Sequence, residues 1–305
     1  MAQCSCVTTV SLPVERPWEL RLRWGLHQLS QSLNIYIFKG LKFELNPGLT
    51  LNMCTLNIRS LNLDHSIYLT DILHDNNCDV VALTETWLSS NKHSASELAT
   101  LTPSGYELSS CPRHTGNGGG VAFLVRQPLS YTVDTYSFSS FEALKLHYSK
   151  LSVLNIYRPP DSSSTSQSFS FSTFLAEFDS VLSVFATLPN PFVITGDFNI
   201  HVDYLSHVHS SLFRSLLSLT NLTQHVNFPA HCHNHTLGLV ITASATSLNP
   251  SISFSPLSIS DHLPVFTSLT VGSSLPPPPS PLERTFVACQ PLISTRSLLT
   301  SHHLP

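Results

Sequence analysis

The chain has 305 residues, 42% of them hydrophobic and only 11% charged, with a formal net charge of −4. Such an apolar share supports a sizeable core and excludes a chain that is disordered throughout, and the length allows one large domain or two ordinary ones. No dense basic run is present. Affinity built mainly on phosphate contacts is therefore disfavoured, although a bound metal ion would supply local positive charge.

Seven cysteines are scattered through the sequence without a CxxC pair, a pattern of reduced thiols rather than a disulfide framework. No apolar stretch reaches the roughly 18 residues of a membrane span, and the N-terminus lacks a secretory signal core. An intracellular protein without membrane attachment or obligate protein partner is expected.

Residues 1–50 show no sustained period and are read as a poorly ordered leader with a short helix around 18–32. From 51 the pattern tightens. LNMCTLNIRSL predicts a strand and a polar turn, SIYLTDILHDNN (66–77) a helix, and CDVVALTETWL (78–88) a buried strand. GGGVAFLVR (118–126) predicts a strand after a glycine turn, and residues 142–160 two strands around Ser149-Lys150, closed by a double proline. Over 169–186, Phe171, Phe174, Leu175, Phe178, Val181, Leu182 and Phe185 recur at helical spacing and predict a core-facing helix. A strand then runs into GDFN, followed by a helix near 210–220 and strands near 237–242, 251–255 and 263–270. Strands alternating with single helices and hairpins argue for an α/β sandwich with antiparallel pairs over 51–270. SSLPPPPSPLE (273–283) reads as a polyproline II-like linker into a short tail, 271–305 in all.

Five polar clusters stand where apolar strands stop: Asn57, Glu85, Tyr157-Arg158, Asp197/Asn199 and Asp261-His262. Strand ends are where ligand sites form in α/β architectures, and period-two alternation would put Asp197 and Asn199 on one face if the strand continues through GDFN. Together these residues form a kit for phosphodiester hydrolysis. Glu85, Asn57 and Asp261 offer hard oxygen ligands for Mg2+ or Mn2+. Asp197 is placed to deprotonate a water, Asn199 to fix that water or a phosphate oxygen, and His262 to donate or transfer a proton. Arg59 and Arg158 are candidate substrate-binding residues.

LNIRSL, ALTETWL, TGNGGGVAFLVR, IYRPP, ITGDFNIHVD and SDHLPVF occur in an order and spacing that resemble the endonuclease/exonuclease/phosphatase superfamily. More narrowly, they resemble the apurinic-type endonuclease domain of LINE-type (non-LTR) retrotransposons. The resemblance covers about 51–270. It implies a two-layer β-sandwich of mixed sheets flanked by helices, a four-layer α/β sandwich like that of DNase I, and divalent-metal-dependent nicking of the DNA backbone. In the elements, that nick primes reverse transcription. Residue by residue, Asn57 and Glu85 match the metal side, Tyr157 a tyrosine near the scissile phosphate, Asp197 and Asn199 the water-handling pair, and Asp261 and His262 the terminal Asp-His. DNA cleavage further implies access to the nucleus.

One stretch, HCHNHTLGLVIT (231–242), departs from the pattern. Where the family reads TLDLV, this chain has Gly238, so the aspartate that orients the catalytic histidine is missing. Ala230 likewise replaces a common threonine. Loss of an orienting carboxylate costs about 10- to 100-fold, so impaired hydrolysis is expected, with a catalytically inactive remnant or a lipid- or nucleotide-directed phosphodiesterase as alternatives. His231, His233 and His235 would line one face of a strand as zinc ligands, but are read instead as a polar loop leading into TLGLV.

Overall fold

In the computed structural model, residues 6–8, 50–89, 91–113, 118–161, 170–271 and 286–288 are described. Two compact units divide the chain, residues 43–274 and the two flanks taken together. In the flanking unit, β1 (Cys6–Thr8) pairs antiparallel with β14 (Phe286–Ala288). The helix expected over 18–32 and the proline-rich stretch 273–283 lie outside the described residues.

The larger unit contains two six-stranded sheets. The first runs β12 (Ser251–Phe254), β13 (Val265–Thr270), β2 (Thr50–Asn57), β3 (Val80–Thr84), β5 (Val121–Arg126), β4 (Tyr106–Cys111). The second runs β10 (Leu222–Gln224), β11 (Gly238–Ala243), β9 (Phe192–Asp197), β8 (Leu151–Tyr157), β7 (Glu142–Tyr148), β6 (Tyr131–Ser137). Each sheet holds one parallel pair, β2 with β3 and β8 with β9, among antiparallel neighbours. Both sheets are therefore mixed.

Alternation along the strands sorts the core into three layers. Met53, Val80, Ala82, Val121, Val153, Val193 and Val240 fill the space between the sheets. Leu56, Val81, Leu83 and Leu124 point outward onto α1 (Leu63–Asp75) and α2 (Ala95–Leu101). On the other side Ile156, Ile194, Leu239 and Ile241 pack against α3 (Phe171–Phe185) and α4 (Val208–Leu219). The result is helix, sheet, sheet, helix, the four-layer sandwich expected. No helix among the described residues is long and apolar enough to cross a membrane.

Local chemistry sets the elements. Helix α1 begins three residues before its apolar spacing suggests, because the Asn62 side chain accepts a hydrogen bond from His65 N at 3.0 Å and caps it. Helix α3 buries Phe171, Phe174, Phe178, Val181, Leu182 and Phe185, the periodic face, with Leu175 only half-buried. The β7–β8 hairpin turns at Ser149, whose φ of 53° gives the left-handed twist a tight hairpin requires. Cys54, Cys78, Cys111 and Cys232 are free thiols.

One glycine is obligatory. Gly196, in β9, has φ of +128° and lies so close to the neighbouring parallel strand that a Cβ would stand 1.9 Å from the Ile156 carbonyl oxygen. The backbone conformation and the contact both exclude a side chain. Gly196→Ala is expected to cost about 3 kcal/mol or more, read as a lower urea midpoint; a midpoint unchanged from the parent would mean that β8 and β9 part easily here.

Candidate active site

The parallel pairs β2–β3 and β8–β9 bring four strand ends to one end of the sandwich, and antiparallel β11 and the segment leading into β13 start there. Period-two alternation then selects the side chains. Met53, Thr55 and Asn57 point between the sheets, as do Val153, Asn155 and Tyr157, and Val193, Thr195 and Asp197. Asn57, Tyr157 and Asp197 are the last inward residues of three strands. The sandwich closes on them as a polar cap.

Asn57 joins the two sheets. Its Nδ2 donates to Asp197 Oδ2 at 2.7 Å and to Glu85 Oε1 at 3.0 Å, while its Oδ1 accepts from Arg59 N at 3.2 Å. Glu85 follows β3 in a left-handed conformation with φ of 51°, rare for this residue type and typical of functional turns. Its carboxylate also accepts from the Tyr157 hydroxyl at 2.9 Å and from Trp87 Nε1 at 3.3 Å. The glycine turn supports this bend: Gly120 and Gly119 carbonyls accept from Thr86 N and Trp87 N. Burial, and then the Glu85 carboxylate, push the Tyr157 phenol far above its ordinary value, so it stays a donor.

Asp197 is 2% exposed. Burial raises its carboxyl above the ordinary range, against the opposing pull of His262, the Asn57 amide and Asn199 N. His262 Nε2 stands 3.8 Å from Asp197 Oδ2 and 4.0 Å from Asp261 Oδ1, and its ring forms no hydrogen bond among the described residues. His231 crosses it edge-to-face at 4.6 Å, and burial, then His262, push His231 down to about 4.

Gly238 lies directly opposite Asp197 in the β9–β11 ladder, so a side chain there would share the inward face with Asp197. The nearest atom to a Cβ built on Gly238 is 4.0 Å away, and its φ is ordinary. A Cβ is therefore accommodated at this position.

Several expected placements are corrected. Strand β9 ends at Asp197, and Asn199 is left-handed with φ of 48°, so alternation does not pair the two. Asn199 instead donates its Nδ2 to the Arg158 carbonyl at 2.7 Å and its backbone N to Asp197 Oδ1 at 3.1 Å. Arg158 is 1% exposed, over the Phe171 and Phe174 rings, and ion-paired to Asp161. Burial lowers its guanidinium from the ordinary value, with Asp161 opposing. It is a buried strut under the Asn199 turn and does not face a substrate. Arg59 is more than half exposed but bonded to Asp261 Oδ2 at 2.8 Å. Asp261 gathers with His231 and His262, their ligand atoms within 4.8 Å of one another, and Glu85 is not in that group. His231, His233 and His235 need no correction: residues 231–234 form the turn expected ahead of TLGLV, and His235 turns away to Asp203.

Ser260 was not singled out by sequence. Its Oγ donates to the Asn57 carbonyl at 2.7 Å and accepts from His262 N at 3.1 Å, tying β2 to the Asp261-His262 segment. The signal was its place directly before Asp-His. Thr55 and Thr195 meet across the sheets at 2.6 Å, invisible without the fold.

The Glu85 carboxylate is a hard oxygen donor of the kind that suits Mg2+ or Mn2+ rather than a soft metal, while the Asn57 amide turns its nitrogen to Glu85 and its oxygen to Arg59 N. All of the Glu85 carboxylate's hydrogen-bond partners are neutral donors, which leaves its negative charge for a cation.

Comparison with known proteins accords with this geometry. The sequence profile of the endonuclease/exonuclease/phosphatase family matches residues 54–284, well over half of the chain. No curated protein matches the sequence significantly. Among solved structures, the endonuclease domain of TRAS1, a telomere-specific non-LTR retrotransposon, superposes with a TM-score of 0.54 at 10% identity, over 73% of this chain and 99% of that domain. The AP endonuclease LMAP from Leishmania major gives 0.58 at 15% identity over 74% and 90%. The 3′ phosphatase NExo from Neisseria, bound to a product DNA hairpin, gives 0.54 at 18% over 71% and 98%. At these identities the likeness is one of fold.

The buried Asp197 yields a prediction about stability. A carboxyl raised on folding binds more protons in the native than in the unfolded state, so stability falls as pH rises from the unfolded to the folded value and stays lower above it. With metal chelated, Asp197→Asn should therefore lose less stability than the parent between pH 3 and pH 7, on top of a pH-independent cost because its amide nitrogen replaces one of the two oxygens that accept from Asn57 Nδ2 and Asn199 N. Urea unfolding at both pH values measures this; an equal change with pH in the two proteins would show that Asp197 does not titrate differently on folding.

Proposed function

Since the chain belongs to the endonuclease/exonuclease/phosphatase family, we propose that it is a divalent-metal-dependent phosphodiesterase that nicks DNA, derived from a retrotransposon reading frame and impaired at one position. The observation carrying this reading is the Asn57 amide, which links a carboxylate on a strained turn, Glu85, to a buried carboxylate at a strand end, Asp197. Such an arrangement separates a cation-binding group from a proton-accepting group by one side chain.

Glu85 would hold Mg2+ or Mn2+, which would polarise the phosphate and stabilise the leaving oxygen; Asn57 and Asp261 would join it by exchanging their present contacts to Arg59. Asp197 accepts the proton of the attacking water, helped by the burial that raises its basicity. Asn57 and Asn199 N hold that carboxylate in one orientation. The Tyr157 hydroxyl, kept protonated by burial and now donating to Glu85, would be available as a donor to a phosphate oxygen. His262 supports the negative charge developing on the phosphoryl oxygens. An enzyme of this kind works inside the cell with access to nuclear DNA.

Gly238 weakens this last role. An imidazole that no carboxylate orients samples tautomers and rotamers that point the wrong nitrogen at the substrate. The open space at Gly238, opposite Asp197, supports reading it as a lost carboxylate. The same observation favours a second reading, a fold-retaining remnant with no turnover.

Supercoiled plasmid with Mg2+ tests the proposal. The parent chain should nick slowly or not at all, Gly238→Asp should raise the rate about 10- to 100-fold, and Gly238→Asp with His262→Ala should lose the gain. EDTA should stop all nicking. Silence in both the parent and Gly238→Asp would establish the remnant; a parent that nicks as fast as Gly238→Asp would refute the impairment.

A further inference from the structure

A second constellation lies in the loops behind the polar cap. His201 and Asp203 belong to the connection from β9 to α4, and His235 to the connection from β10 to β11. His235 Nδ1 and Asp203 Oδ2 are 3.1 Å apart, the His201 and His235 rings meet edge-to-face at 4.1 Å, and one ligand atom from each residue falls within 4.8 Å of the others. These residues have no part in the phosphodiesterase chemistry proposed above.

Three features distinguish this cluster from an ordinary surface ion pair. First, His201 Nδ1 is buried and has no hydrogen-bond partner, a state that costs free energy unless something occupies it. Second, the other oxygen of Asp203 is already fixed, since Oδ1 accepts from Thr236 N at 2.9 Å; metal-binding carboxylates are held by such second contacts. Third, His201 is anchored through its backbone, its carbonyl accepting from Ser210 Oγ in α4 and from Tyr204 N.

We propose that His201, Asp203 and His235 form a zinc site that ties the β9–α4 loop to the β10–β11 loop. Two imidazoles and one carboxylate, with water in the fourth position, are a donor set that zinc accepts. Zinc takes its ligands deprotonated, so affinity falls as pH drops. The consequence is mechanical. The two loops leave the strand ends that carry Asp197 and Gly238, and the second also contains His231, which packs on His262. A zinc ion here holds both sides of the cap in register from outside it.

The experiment is titration of the chelator-stripped full chain with Zn2+ alone against a chromophoric competitor, with Co2+ absorption reporting coordination. The parent should bind one ion with micromolar or tighter affinity. His201→Ala with His235→Ala, and separately Asp203→Asn, should weaken binding at least about 10- to 100-fold. His231→Ala with His262→Ala, and Glu85→Gln, should leave it unchanged. Asp203→Asn keeps an oxygen for Thr236 N and carries the test if the double variant does not fold. No uptake by the parent, undiminished uptake in Asp203→Asn, or loss in either control overturns the proposal.

Discussion

The hydrogen bond that Asn57 sends across the gap between the two sheets to Asp197 holds the site together. A sandwich is glued by apolar side chains that specify spacing but little register. Here the inward row becomes polar toward one end, and each polar residue finds its partner on the opposite sheet. Thr55 meets Thr195 at 2.6 Å, Asn155 donates to the Leu83 and Ala122 carbonyls at 2.8 and 3.1 Å, and Asn57 meets Asp197 at 2.7 Å. A hydrogen bond to a charged acceptor contributes roughly 1.5–3 kcal/mol, and leaving a buried charge unpaired costs more. Sliding the sheets by one residue would strand all of these groups at once. The seam fixes the relative placement of the strand ends, and the placement of Glu85, Tyr157 and Asp197 follows.

This dependence explains which parts of the molecule were legible in the sequence. Strands β2, β3, β5, β8 and β9 are buried on both faces or nearly so, and their apolar runs announce them. Three of the strands passed over, β4, β6 and β10, are edges of their sheets. Residues 132–135 of β6 are all exposed, and a strand wet on most of its length carries little hydrophobic pattern. Helix α2 had a legible start, since Ser94 and Glu97 form a reciprocal capping box, but with seven residues and one buried position it lacks periodicity. Among site residues, Asn57, Tyr157 and Asp197 were legible as polar residues where apolar strands stop. The placements of Asn199 and Arg158 were not, because a strand end releases the chain from period two. A turn can then aim an arginine into the core, where Phe171 and Phe174 receive it.

Gly238 shows how stability and chemistry diverge at one position. An aspartate there would face Asp197 across the ladder, and two carboxylates this close raise each other's proton affinity and oppose folding at neutral pH. Removing one relieves that repulsion, while the surrounding β11 residues, Leu239, Val240 and Ile241, remain fully packed. Glycine also weakens a strand through backbone entropy, so the net effect on folding is small in either direction. Under the proposed function the position would matter more for His262, whose ring forms no hydrogen bond among the described residues and whose neighbouring carboxylate oxygens on Asp197 and Asp261 stand 3.8 and 4.0 Å away.

The electrostatics of the cap follow the same logic of internal partners. With 15 Lys and Arg against 19 Asp and Glu, the chain does not surround its site with cations. Glu85 is held by an amide, a phenol and an indole, and Asp197 by an amide and a backbone N–H. The nearby arginines are spent elsewhere: Arg158 on Asp161, Arg113 on Glu142, and Arg59 on Asp261. A polyanionic substrate approaching this surface meets carboxylates whose partners are dipoles, and dipoles do not offset its charge. Under the proposed function, a cation at Glu85 would supply positive charge at this surface, since all of that carboxylate's hydrogen-bond partners are neutral donors.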